Sequence, residues 1–434
     1  MAFDGGGMRK KILLKAPILT RSGYGEQSRF ALRSLRSRED LFDIYIQPLG
    51  WGHTSWISDF GPERQWIDTS IEKTISYIQN NGQFDMSLQV TIPNEFEKIA
   101  PINIGYTAGI ETTKVAPIWL QKADLMDKII VVSSHSKHVY ATTSYEGVNE
   151  QTQEEVVLEV SADKIEAVNY PVKNYTELPP VELDLKYDIN FVCVAQLGPR
   201  KNVLNTIKWF VEEFKDEEVG LIVKTNIAKN CVMDRDHTFN NISQVLKDAP
   251  PERKCKVYLL HGDMTDEEIH AIYHHPKVKA SVLFSHGEGF GLPLFESAYS
   301  GIPVVATGWS GQLDFLCDEK GKNHFYNVAF DLQPVPENAV WDGVIMKESM
   351  WAYPREVSAK AQMRECYEDI KNQNKDSYAL KAREFAEETK ERFEEQKMYK
   401  AFISAMGVPP LMGLDKEQFG IENWLESLNV QETE

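Results

Sequence analysis

SHGEGFGLPLFESAYSGIPVVAT, residues 285–307, carries two carboxylates, Glu288 and Glu296, on either side of a glycine-rich turn that opens a helix. Gly289 and Gly291 lack side chains, so backbone N–H groups can approach a bound anion closely. Pro293 suits the first helical turn, where a missing N–H leaves nothing unsatisfied. The N–H groups of Gly289, Phe290, Gly291 and Leu292, with the positive end of the helix behind them, favour a diphosphate. Glu296, about one turn in, is placed to accept hydrogen bonds from neutral hydroxyls such as those of a ribose. Gly301 caps the helix, and Pro303 begins PVVAT, which reads as a buried parallel strand. A helix held between a glycine turn and such a strand places a nucleotide-type site at the edge of an open sheet.

Outward from this block, short apolar strands alternate with helical stretches, the pattern of parallel sheets. Before it lie strand candidates at 11–17, 42–49, 84–90, 102–108, 128–133 and 164–170. A second series runs at 189–197, 219–225, 256–262, 279–285 and 303–307. Between the two series, residues 174–188 combine prolines and acids without periodicity and read as a linker. A chain of 434 residues exceeds what one core usually sustains, so two domains are expected. A single long helix is predicted from about Tyr378 to Met406, and the tail beyond Gly407 carries little signal.

AQLGPRKNVLNTIKWF, residues 195–210, follows a strand and leads into a helix, which puts Arg200 and Lys201 at strand ends, where ligands of open sheets bind. A diphosphate leaving group needs such cations, although a solvated basic turn reads the same way. Ser22, Gly23, Tyr24 and Gly25 stand in a corresponding place after the first strand.

The spacing of Glu288 and Glu296, the intervening GFGLP and the following SGIPVVAT together resemble the E-x7-E signature of group 1 glycosyltransferases. The resemblance implies an α/β chain of the GT-B fold, two facing Rossmann-like domains with a cleft between them. On it, residues 1–178 form an acceptor-side domain and 186–375 a domain binding the nucleotide sugar. Residues 376–434 supply a helix crossing back to the first domain, plus a tail. It implies sugar transfer from a nucleotide-diphosphate sugar with retention at the anomeric carbon and without a cofactor or bound metal. Retention by double displacement would need a nucleophile against that carbon, and the resemblance offers none. The departing phosphate oxygen is instead expected to take the acceptor proton on the same face.

By the same resemblance Glu288 holds sugar hydroxyls, Glu296 the ribose, and Lys201 the phosphate. The family's usual arginine is replaced by Gln196, and Arg200 is the candidate substitute. Gly23, Tyr24 and Gly25 match a flexible first loop facing the diphosphate. Glu111, in a Glu-Thr segment after the fourth strand, either orients an acceptor hydroxyl or caps a loop. Ser133, Ser134 and Lys137, in VVSSHSKHVY, are expected to border the cleft. The acceptor stays open: a glycan, a lipid, a protein or a modified nucleobase fits equally. A sugar-nucleotide epimerase or phosphorylase on the same fold, or a catalytically silent sugar-nucleotide or glycan-binding protein, are the alternatives.

Arg29, Arg33 and Arg36 recur at i, i+4 and i+7 and share one helix face, offered either to water or to an anionic surface. His270 and His274 have the spacing of a metal pair but sit in a polar helix with no acidic third ligand in view, so a solvated face is expected. Trp341, Trp351 and Tyr353 lie in an insertion, where they either pack it or stack on a sugar. Five cysteines without metal spacing read as reduced thiols. The absence of any long apolar stretch, or of an apolar run behind the first charges, points to a cytoplasmic protein without a transmembrane segment. A net charge of −18 weighs against nonspecific nucleic-acid binding.

Overall fold

The alternating strands and helices form two parallel six-stranded sheets. The computed structural model describes residues 9–51, 60–148 and 155–407; the tail beyond Gly407 lies outside them. In the first sheet the strands run in the order 42–48, 10–16, 86–90, 102–107, 128–131, 165–167. In the second the order is 256–260, 220–224, 190–194, 278–283, 304–307, 326–328. Helices cover both faces, so strands such as Met86–Val90 and Val304–Thr307 are buried at every position, which is why neither shows the apolar-polar alternation of a one-sided strand exposed to water. Every expected strand is present within a few residues of its predicted ends. The three-residue strand Tyr326–Val328 and the antiparallel pairs 145–148 with 155–158 and 330–334 with 350–354 were not anticipated, because such short or half-exposed strands carry no clear periodicity.

Strand order changes direction beside strand 10–16 in the first sheet and between 190–194 and 278–283 in the second. These are the points at which open sheets leave a crevice at their carboxyl ends. The loop after 190–194 contains Arg200 and Lys201, and the loop after 278–283 contains Glu288, so the topology brings them together.

The predicted C-terminal helix is two helices, Tyr378–Arg392 and Glu395–Ala405. Glu394 caps the second through Lys397 N–H at 2.9 Å, while Phe393 turns inward against Phe295, ring centres 5.2 Å apart. The second helix lies on the first domain, with Phe402 packed 5.3 Å from Phe30 and 5.0 Å from Tyr106. The chain thus crosses between domains twice. The crossings touch, since Val172 N–H donates to the Phe393 carbonyl at 2.9 Å.

The insertion after the second sheet reaches over to the first domain. Asn94 Nδ2 donates to the Gly343 carbonyl at 2.9 Å, Met350 N–H donates to Thr113 Oγ1 at 3.0 Å, and Val344 is buried in the cluster that includes Ile110 and Trp119.

Candidate active site

A cleft of about 1260 Å³ separates the two sheets, more than the roughly 300–1,000 Å³ that one small ligand fills. It has room for two reactants.

After strand Asn190–Val194 the chain makes a tight 3-10 turn, Pro199–Lys201, ending at Asn202 in the left-handed region at φ +52°. Asn202 Nδ2 donates to the Phe284 carbonyl at 3.0 Å and His286 N–H to the Arg200 carbonyl at 2.8 Å, stitching the two switch-point loops together. Both cations then face one carboxylate. Lys201 Nζ lies 2.7 Å from each Glu288 oxygen, and Arg200 Nη1 lies 3.1 Å from Oε2 and 2.7 Å from the Gly287 carbonyl. Arg200 Nε reaches Glu111 Oε1 on the other domain at 3.2 Å. Glu288 is only 3% exposed. Burial pushes its carboxyl up, but Lys201 and then Arg200 outweigh burial and hold it below the ordinary carboxylate range. Glu288 N–H donates to Ser310 Oγ at 2.8 Å, and Ser310 is held at φ +77°, a strained geometry for serine that fixes the loop.

The glycines serve reasons partly different from those expected. A Cβ on Gly287 would stand 2.3 Å from the Glu111 carbonyl, and one on Gly289 2.4 Å from the Ala108 carbonyl. These two positions are where the second domain meets the first, so close domain contact, rather than approach of an anion, excludes a side chain at Gly289. Gly291 is required by its φ of +100°. Among the described residues the N–H groups of Gly289, Phe290 and Gly291 donate to no protein acceptor, and with Leu292 they open helix Leu292–Tyr299. Opposite them, Gly23, Tyr24 and Gly25 form the first turn of helix Gly23–Arg36, not a flexible loop. Ser22 caps that turn by accepting from Gly25 N–H at 3.0 Å, and Tyr24 Oη is 3.0 Å from Thr107 Oγ1. Two helix N-termini therefore face one cleft.

Glu296 lines the cleft with no hydrogen bond or ion pair to its carboxylate among the described residues. Burial pushes its pKa up to about 8, against the pull of Lys173 and with help from Asp266 and Glu26. Lys173, in the stretch joining the domains, pairs with Glu26 at 3.0 Å on the first and Asp266 at 2.7 Å on the second. No sequence signal marked Lys173, Glu26 or Ser310. Gln196 also lines the cleft, its Nε2 donating to the Ile227 carbonyl at 2.6 Å, and the second cation beside Glu288 is Arg200.

Other expected residues stand elsewhere. Ser133 is fully buried and caps helix Ser134–Thr142, accepting from Ser136 N–H at 3.2 Å, and Lys137 pairs with Glu166 at 3.1 Å; neither borders the cleft. The arginine row is not an open basic face. Arg29 is buried and donates to the Ile18 and Thr20 carbonyls, Arg33 grips Glu63 at 2.7 and 2.8 Å, and Arg36 pairs with Glu39 over the Trp66 ring. These neighbours satisfy the charges that an anionic surface would need. His270 is buried, not solvated, with Nε2 2.7 Å from Tyr299 Oη, and burial lowers its pKa to about 4. Trp351 is buried and stacks on His286, whereas Trp341 stands in the cleft. No described helix is long and apolar enough to cross a membrane.

Residues 183–329 match the family model for glycosyl transferases group 1. The chain is similar to the serotype-specific mannosyltransferase WbdA of Escherichia coli, 30% identical over 121 residues, which are 27% of this chain and 13% of WbdA. Among solved structures, a glycosyltransferase of Rickettsia africae superposes with a TM-score of 0.58 at 12% identity, over 92% of this chain and 98% of that one. Anabaena Alr3699/HepE, in complex with UDP and glucose, superposes with a TM-score of 0.56 at 13% identity, over 92% and 100%. The two parallel-sheet domains have the GT-B fold.

Proposed function

We propose that this protein is a retaining glycosyltransferase that moves a sugar from a nucleoside-diphosphate sugar to an acceptor hydroxyl. The observation that carries the reading is the meeting of Lys201 and Arg200 at the second switch point, beside unpaired N–H groups and opposite a second helix N-terminus. Lys201, Arg200 and the N–H groups of Gly289 to Leu292 stabilise the diphosphate as it gains charge on leaving, without a metal ion. Glu288 orients sugar hydroxyls, Glu296 accepts from the ribose, and Glu111 faces the acceptor. The leaving oxygen takes the acceptor proton on the face it departs from, so the protein supplies positioning and charge. Five unpaired cysteines fit a reducing compartment, and we place the enzyme in the cytoplasm.

Ligands that bind the native state raise its melting temperature. UDP-glucose and GDP-mannose are the first donors to screen, and NMR of the product reads its anomeric configuration. A failure of every nucleotide sugar to shift the melting temperature overturns the reading; an inverted product overturns retention alone.

Glu296 makes the reading pH-dependent. Hydroxyls donating to a carboxylate favour its ionised form, so nucleotide binding lowers its pKa and releases a proton. UDP affinity is expected to rise from pH 6 to about 8 and then level. Glu296→Gln should weaken UDP by about tenfold and flatten the profile. In the free protein the sign is opposite. A folded pKa above the unfolded one gives stability that is full below the unfolded pKa and lost as pH rises through the folded value. Glu296→Gln should therefore melt higher than wild type at pH 8. Calorimetric titration of UDP across this range, in buffers of differing ionisation enthalpy, checks both the affinity and the proton.

A further inference from the structure

We infer that Trp341 is the platform on which an acceptor sugar stacks, which makes the acceptor a carbohydrate; this rests on the transferase reading above. Trp341 is 53% exposed, whereas Trp351 and Trp119 beside the same insertion are each 1% exposed. A single exposed aromatic needs no explanation on an open surface. This one lines the cleft, and its loop is rigid. Trp341 N–H donates to the Ile345 carbonyl at 3.1 Å, and Val344 and Ile345 N–H donate back to the Trp341 carbonyl at 2.8 and 2.7 Å. The loop is then pinned to the first domain through Gly343, Val344 and Met350. Gly343, two residues beyond Trp341, is held by Asn94 of the first domain, the acceptor's domain in this reading, so Trp341 lines the cleft from a loop anchored on that side. Among the described residues its N–H has no acceptor, and no aromatic ring or cation stacks on its faces.

An exposed indole on a tied loop, in a cleft where carboxylates and cations alternate with the rings of Tyr24, Trp51 and Phe290, suits one chemistry best. A pyranose presents C–H groups on one face and hydroxyls around its edge, so it can lie on the ring while its hydroxyls meet neighbouring polar groups. A lipid chain would need continuous apolar walls. A nucleic-acid acceptor would need a track of available cations, but Arg33 and Arg200 here are paired with Glu63 and Glu111.

The test measures binding of maltotriose, mannotriose and chitotriose by calorimetry to wild type, Trp341→Ala and Trp341→Phe, with UDP-glucose and GDP-mannose titrated in parallel. At least one trisaccharide should bind wild type, about tenfold more weakly in Trp341→Ala and within about threefold in Trp341→Phe, with nucleotide-sugar binding unchanged. The inference falls if wild type binds none of the three, if Trp341→Ala binds them as wild type does, or if it loses the nucleotide sugar in equal measure. The nucleotide-sugar titrations of wild type judge the transferase reading separately.

Discussion

Lys201→Ala should lower turnover by about 10²–10³-fold while the protein still folds. A leaving diphosphate gains charge in the transition state, and loss of one preorganised cationic contact typically removes roughly 2–4 kcal/mol of stabilisation. The same substitution also bears on stability. In the ligand-free protein Lys201 neutralises a carboxylate that is 3% exposed, and removing one partner of a buried pair costs about 3–5 kcal/mol when nothing replaces it. Arg200 remains on Glu288, so the loss should fall at the low end of that range. The double variant Lys201→Met/Glu288→Gln removes both charges and should recover most of the melting temperature and none of the turnover. Steady-state kinetics with calorimetric melts separate the two effects. Near-normal turnover in folded Lys201→Ala would show that the diphosphate lies elsewhere.

Gly289→Ala should be nearly as damaging, through a methyl group that touches no ligand. Its Cβ would sit 2.4 Å from the Ala108 carbonyl, and a backbone atom in a buried loop cannot swing aside as a side chain can. The two domains must part by roughly 1 Å locally, a displacement that is enough to lower a reaction rate by about 10²-fold when it separates reacting groups. UDP contacts mainly the second domain in this reading, so its affinity should change by less than about threefold. Comparing kcat with UDP binding tests this, and unaltered kcat would mean that chemistry does not need the two loops in contact.

The fold was legible because its signals are local. Strands buried on both faces are mostly apolar, and the glycine turn, Pro293 and Gly301 punctuate the chain within a few residues of one another. The meeting of Lys201 with Glu288 followed from position, as both stand at strand ends. What stayed hidden depends on partners distant in sequence. The spacing of the three arginines did describe one side of a helix, but whether that side meets water is decided by Glu63, which arrives from the next helix. Ser133 has the same serine-rich surroundings whether it borders a cleft or caps a helix, and only the strand geometry before it chooses. The long acidic helix pattern continued through Phe393 without interruption, since nothing local reveals that this ring has a pocket against Phe295.

The paired crossings at Val172 and Phe393 have a mechanical meaning. One covalent link between two bodies is a tether and permits swivelling; two links lying side by side and hydrogen-bonded to each other act as a door with two pins on one axis. Such a joint resists twisting and sliding more than it resists swinging. Gly287 against Glu111 and Gly289 against Ala108 are thereby kept in one alignment, so in the proposed transfer the frame, more than the substrates, would set how donor faces acceptor.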